Sequence, residues 1–234
     1  MPRPLRPIAD GLVYHVINRG NNRQPVFHAE GDYAAFLQAI ADLKQRKAFE
    51  LYGYCLMGNH IHLLICPRGD TISRIVQSLL VSHTQRYHRF HHSGGHVWQG
   101  RFKSPVVQDD DHLVAVLRYI EANPIRAKMV KGAGEYRWSS FGCHGAGRPD
   151  PLLTPVAPYE ALGARPAVRQ RRWVAYVHQT PDEVELAAIR RSNETGLPYG
   201  EQAWVERLCG QLKLDLTIRP RGRPRKTSPN QKQF

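Results

Sequence analysis

The sequence predicts an α+β fold, a ferredoxin-like antiparallel sheet with helices on one face, followed by a small helical C-terminal extension and a basic tail. Three observations predict it. Two extended apolar segments flank Gly58-Asn59, a hairpin signal; helical periodicity stands on both sides of that hairpin; and a short extended segment lies at each end. The order strand, helix, hairpin, helix, strand is an α+β plan.

Residues 12–19 read as the first strand. Residues 32–47 read as a helix because Tyr33, Phe36, Leu37, Ile40 and Leu43 recur at helical spacing. Residues 50–57 and 60–66 form the antiparallel pair around the turn. A second helix spans residues 72–90, with Ile72, Ile75, Val76, Leu79, Tyr87 and Phe90 on roughly one side. A strand at residues 104–108 precedes a third helix. Asp109, Asp110 and Asp111 place negative charge at its start, where the helix dipole favours it, and Leu113, Val116, Leu117 and Ile120 make its buried stripe. Pro124 ends or bends it, since proline disfavours helical geometry in the residue before it. These elements fill residues 1–147. Pro149, Pro151, Pro155 and Pro158 then mark a linker over 148–165. Helices are expected over 166–217, one of them starting at Thr180-Pro181-Asp182-Glu183, which carries a capping-box pair and a proline at the first helical position. Residues 218–234 read as a disordered basic tail.

The chain has 234 residues and a net charge of +13, which points to a polyanionic partner, nucleic acid being the commonest. Runs such as Leu113-Val114-Ala115-Val116-Leu117 are too short to cross a bilayer and the N-terminus lacks a signal-peptide core, so a cytosolic protein is expected. Cys55, Cys66, Cys143 and Cys209 fall in no paired spacing, which argues against a zinc knuckle and a disulfide framework. Residues 219–234 contribute +6 of the net charge. Within them Arg221, Arg223 and Arg225, alternating with Gly222 and Pro224, resemble the AT-hook that lies in the minor groove of A·T-rich DNA. The alternative is nonspecific attraction to phosphates.

Residues two apart in a strand share a face, so His60 and His62 project together while Ile61, Leu63 and Ile65 face the other way. Converging imidazoles suit a divalent transition cation, and an added oxygen ligand broadens the choice toward manganese or magnesium. A pair of half-exposed strand histidines is the alternative. On the third helix Tyr119 and Asn123 stack on one face with His112 nearly below them, whereas Glu121 falls on a different side. That favours Asn123 over Glu121 as the tyrosine's partner, although carboxylates are the stronger ligands. The competing reading is an interface tyrosine followed by a helix-ending asparagine.

Four blocks, Tyr14 to Arg23 (YHVINRGNNR), Tyr54 to Leu64 (YCLMGNHIHLL), Trp98 to Lys103 (WQGRFK) and Arg118 to Ala127 (RYIEANPIRA), together resemble the bacterial REP-associated tyrosine transposases. These are relatives of the insertion-sequence transposases that carry one catalytic tyrosine and an HUH motif. The resemblance covers about residues 12–142. It implies His60 and His62 as metal ligands, Tyr119 as nucleophile and Asn123 as a further polar ligand. It also implies Mg2+ or Mn2+ as cofactor, single-stranded or hairpin DNA as substrate, and cleavage and rejoining through a 5′-phosphotyrosine. Gly58 stands where many members have proline. A donor-rich cluster of Asn18, Arg19, Asn21, Asn22 and Arg23 is expected to grip DNA, with Arg101, Lys103 and Arg126 next. His83, His88, His91, His92 and His96 are expected to line a solvated helix end rather than a second metal site, and Tyr87, the rival nucleophile, has no match to the catalytic block. The alternatives are a palindrome-binding protein that no longer cuts, an HUH replication or mobilisation nuclease, and a zinc-binding module. Monomer and homodimer both remain open.

Overall fold

Alternation within the strands decides which side chains meet which helices. The computed structural model describes residue 9 and residues 11–214. Its sheet is built from β1 (Val13–Arg19), β2 (Phe49–Met57), β3 (His60–Pro67) and β4 (Val106–Val107), in the order β2-β3-β1-β4, every pairing antiparallel. With α1 (Glu30–Arg46) after β1 and α2 (Ile72–His91) after β3, this is the ferredoxin-like arrangement expected. β4 is shorter than predicted, although an isolated bridge between Ile17 and Lys103 extends the pairing along β1.

α1 and α2 cover one face. Phe36, Ile40 and Leu43 of α1 and Ile72, Ile75, Val76 and Leu79 of α2 pack on Val16, Ile61, Leu63 and Ile65. α1 starts at Glu30 rather than Asp32, because the Asp32 carboxylate accepts from the backbone N–H of His28 and Ala29 and closes the first turn. In α2 nothing after His83 is buried. Phe90, expected on the apolar side, is therefore exposed, beneath the Arg86 guanidinium.

The opposite face is covered as well. α3 (Asp111–Glu121) and α4 (Asn123–Arg126) are followed by α5 (Phe141–His144), α6 (Ala157–Glu160), α7 (Pro166–His178), α8 (Glu183–Thr195) and α9 (Gln202–Gln211). Leu113, Leu117 and Ile120 of α3, with Trp173 and Val177 of α7 and Ile189 of α8, pack on Val13, Cys55, Leu64 and Cys66. The expectation of helices on one face describes α1 and α2; the second face is closed by α3 and the C-terminal helices. α8 begins two residues later than its proline suggested. Its N-cap is Asp182, whose carboxylate accepts from Val184 N–H.

β2 has a bulge at Leu51/Gly53, so Leu51 and Tyr54 both face α1 and α2. Leu117 of α3 lies where a side chain at residue 53 would stand, and only glycine lets α3 approach this closely. Among the described residues no helix is long and apolar enough to cross a membrane.

Candidate active site

The β3 register places His60 and His62 on the sheet face that α3 covers. His60 pairs with Arg19 of β1 and Met57 of β2, and His62 with Ile17 and Cys55. His62 is buried and His60 half-buried. Their rings meet edge to face with centroids 5.1 Å apart. The His60 Nδ1–H donates to Asn59 Oδ1 at 2.7 Å, and His62 Nδ1 shares a 2.9 Å hydrogen bond with His15 Nε2. Each ring thus has its Nδ1 engaged and its Nε2 left to ligate.

Burial keeps these imidazoles neutral. It pushes His60 down to about 4, helped by the Arg19 charge, and His15 down to about 3. The His62 value lies well below the ordinary range, again chiefly from burial, with its histidine neighbours adding to it. Two neutral rings with free Nε2 atoms fit a divalent cation. Among the described residues there is no cluster of three or more His, Cys, Asp or Glu that could hold a metal, so any third protein ligand would be of another residue type.

Tyr119 comes to the same spot from α3. Its ring lies 5.9 Å from that of His62 and 5.9 Å from that of His15, edge-on to both. It is half-buried and borders a cleft of about 240 Å³ between α3–α4 and the α7–α8 turn, which Arg118, Gln179 and Ile189 also line. Arg126, expected at the DNA, lays its guanidinium 4.1 Å from the centre of the Tyr119 ring and donates to the Tyr119 carbonyl at 2.5 Å. Burial pulls its own pKa down.

Asn123 has a structural task that Pro124 creates. A proline has no N–H, so the Ile120 carbonyl four residues back lacks its helical donor. Asn123 Nδ2 supplies one at 3.2 Å and also donates to the Tyr119 carbonyl at 3.1 Å. Ala122, between α3 and α4, stays near helical geometry. The Asn123 amide oxygen makes none of these bonds.

Glu121 points away from the histidines, as its position on the helix implied. It is fully buried and accepts from Ser140 Oγ at 2.5 Å, His144 Nδ1 at 2.6 Å and Trp173 Nε1 at 2.6 Å. His112 bonds to Asp110 and packs on Tyr199.

The donor-rich cluster lies beside His60. Asn21–Arg23 form a single 3-10 turn with Asn22 and Arg23 at positive φ, and Gly20 N–H donates to the Asn59 carbonyl. Asn18 is buried, its Nδ2 without a hydrogen-bond partner among the described residues, while Arg19 forks onto Gln99. Residues 97–103 run along this end of β1, with Asn21 N–H bonded to Val97 and Gln99 N–H to Arg19. Arg101 is exposed there and Lys103 reaches the Glu194 carbonyl. Arg221, Arg223 and Arg225 lie outside the described residues.

Of the five histidines placed at the helix end, His83 belongs to the core instead, 4% exposed, donating to the Val26 carbonyl. His91 approaches Asp32, and Tyr87 bonds to His28. The residue that sequence reasoning passed over is His15. It lies inside the first matching block, but only the β1–β3 register brings it onto His62.

Residues 9–123 match the family model described as Transposase IS200 like. This segment is an IS200-like transposase domain. A Haemophilus influenzae protein named as a REP-associated tyrosine transposase is 28% identical over 119 residues, covering 45% of this chain and 66% of that relative. The solved structure of a REP-associated tyrosine transposase bound to a REP hairpin superposes with a TM-score of 0.54 at 21% identity, over 68% of this chain and 93% of the other. The shared fold includes the sheet that carries His60 and His62.

Proposed function

We propose that this transposase cleaves and rejoins single-stranded DNA beside hairpin repeats through a 5′-phosphotyrosine on Tyr119, using Mg2+ or Mn2+ held by His60, His62 and Asn123. One observation carries the reading: the Tyr119 ring packs against His62 on the sheet face that His60 shares. The hairpin bound to the structural relative supports the class of substrate.

A phenol with a pKa near ~10 is a weak nucleophile at neutral pH. The Arg126 guanidinium over the Tyr119 ring holds that ring by a cation–π contact. Tyr119 Oη then attacks phosphorus, an Oη–P bond forms and the P–O3′ bond breaks. The strand leaves with a free 3′-hydroxyl, the phenolic proton making up the balance. When bound, the divalent cation supplies positive charge at a nonbridging phosphate oxygen. His60 and His62 offer neutral Nε2 atoms, and Asn123 offers its amide oxygen while its amide nitrogen stays on the helix. Attack of a 3′-hydroxyl on the phosphotyrosine reverses the step, so rejoining needs no ATP. Arg19, Asn21, Asn22 and Arg23, with Arg101 and Lys103, would meet a strand entering the site, whereas the buried Asn18 would act only from beneath them.

Labelled single-stranded hairpin DNA incubated with the protein and Mn2+ is expected to give a covalent 5′ adduct. Tyr119→Phe should yield none, and His60→Ala should lose cleavage while keeping most hairpin binding. An adduct of undiminished yield from Tyr119→Phe would overturn the assignment.

A further inference from the structure

We infer that His15 is a positioning residue for the metal site: its Nε2 accepts the Nδ1–H of His62, fixing the tautomer and the ring angle that present His62 Nε2 to the cation. The inference rests on His62 being a cation ligand, as proposed above.

The geometry leaves few other roles for this side chain. His15 is 1% exposed and sits in β1, two residues from Ile17, the register partner of His62. Its ring stacks on that of His62 at 5.1 Å and 28°, with 2.9 Å between His15 Nε2 and His62 Nδ1. One of these two nitrogens must carry the proton. If it is on His62 Nδ1, then His62 Nε2 keeps its lone pair, and the His15 proton is on Nδ1. That tautomer requires an acceptor for the His15 Nδ1–H. Asn193 of α8 interacts with His15, and its buried Oδ1 makes no hydrogen bond among the described residues, which leaves it open to accept one. With that acceptor engaged, a chain Asn193, His15, His62 would run from the C-terminal helices to the cation face, each ring donating through Nδ1. Outer partners of this kind set the tautomer and basicity of ligating histidines, and their loss typically weakens metal affinity about 10- to 100-fold.

The test uses the full chain without DNA. In the metal-free protein, 15N-resolved imidazole spectra should show His62 as the Nδ1–H tautomer in the wild type, and a mixture of tautomers in His15→Phe. Calorimetric titration with Mn2+ should show His15→Phe weakened by about 10-fold or more. His15→Gln, which puts an acceptor oxygen near the place of Nε2, should recover most of the affinity. Equal affinity in wild type and His15→Phe, or an Nε2–H tautomer of His62 in the wild type, would overturn the inference while leaving the ligand assignment standing. A third imidazole in the spin-echo spectrum of the Mn2+ complex would make His15 a ligand and also overturn it. Should His15→Phe not fold, the wild-type tautomer and the His15→Gln affinity decide the matter. Failure of the ligand assignment itself has a separate mark, namely Mn2+ binding unchanged in a folded His60→Ala, His62→Ala double variant.

Discussion

At His83 a titratable ring sits inside an aromatic core. Phe27, Phe36 and Trp98 surround it, Nε2 donates to the Val26 carbonyl, and the buried Nδ1 has no partner among the described residues. Protonation would put an unpaired charged N–H into that core, and burial pushes the pKa down to about 4. A histidine in the unfolded chain titrates near ~6.5. Between these values the unfolded state binds a proton that the folded state refuses, so this contribution is complete above about pH 6.5 and is lost as pH falls toward 4. The loss is on the order of 2–3 kcal/mol. His83→Phe should therefore show a smaller drop in melting temperature between pH 7 and pH 4.5 than the wild type. An equal drop would mean that His83 is not responsible. Residue 83 stands one turn from both Leu79 and Tyr87, yet it was grouped with the solvated histidines that follow it, which masked its burial. His15 was hidden for another reason: alternation predicts which residues of one strand share a face, whereas the contact with His62 depends on register between two strands.

At the scale of elements, α3 owes its position to two features of unequal visibility. The apolar stripe Leu113, Val116, Leu117 and Ile120 was legible from spacing, as was the shared face of Tyr119 and Asn123. Glu121 was not, because its partners Ser140, His144 and Trp173 come from later segments, one of them in the C-terminal extension. The carboxylate ties α3 to α5 and α7 on the side opposite the nucleophile. Glu121→Ala would leave His144 Nδ1 and Trp173 Nε1 without this acceptor, while Ser140 Oγ keeps the Tyr54 carbonyl. It should cost about 3–5 kcal/mol, of the order found when one partner of a buried polar network is removed. Denaturant unfolding would measure it, and a loss under about 1 kcal/mol would show that the network is dispensable. Asn123 makes the opposite lesson: Pro124 looked like a helix breaker, yet the asparagine amide replaces the missing N–H and α3 passes into α4.

At the scale of the molecule, the sheet is closed on both faces, and its second face joins the transposase domain to the C-terminal helices through Trp173, Val177 and Ile189. The hairpin strands and the first two helices were readable from residues 12–90 alone. What α7 and α8 cover was not, since nothing local in residues 166–195 says which face of the sheet they meet. Charge is distributed differently from packing. Residues 219–234 lie outside the described residues and hold Arg219, Arg221, Arg223, Arg225, Lys226 and Lys232 with no acid, nearly half of the net +13. On single strands each phosphate contact adds roughly 0.7 to the slope of log affinity against log salt, so six contacts would add about 4. Deleting residues 219–234 should flatten that slope for hairpin DNA by up to this amount while leaving adduct formation at low salt in place. The same deletion separates the two readings of Arg221, Arg223 and Arg225. Loss of affinity shared equally by A·T-rich and G·C-rich duplexes marks phosphate attraction, and loss confined to A·T-rich duplex marks minor-groove insertion. An unchanged slope would show that these six charges do not meet the DNA, and the footprint would then have to come from the loops beside His60.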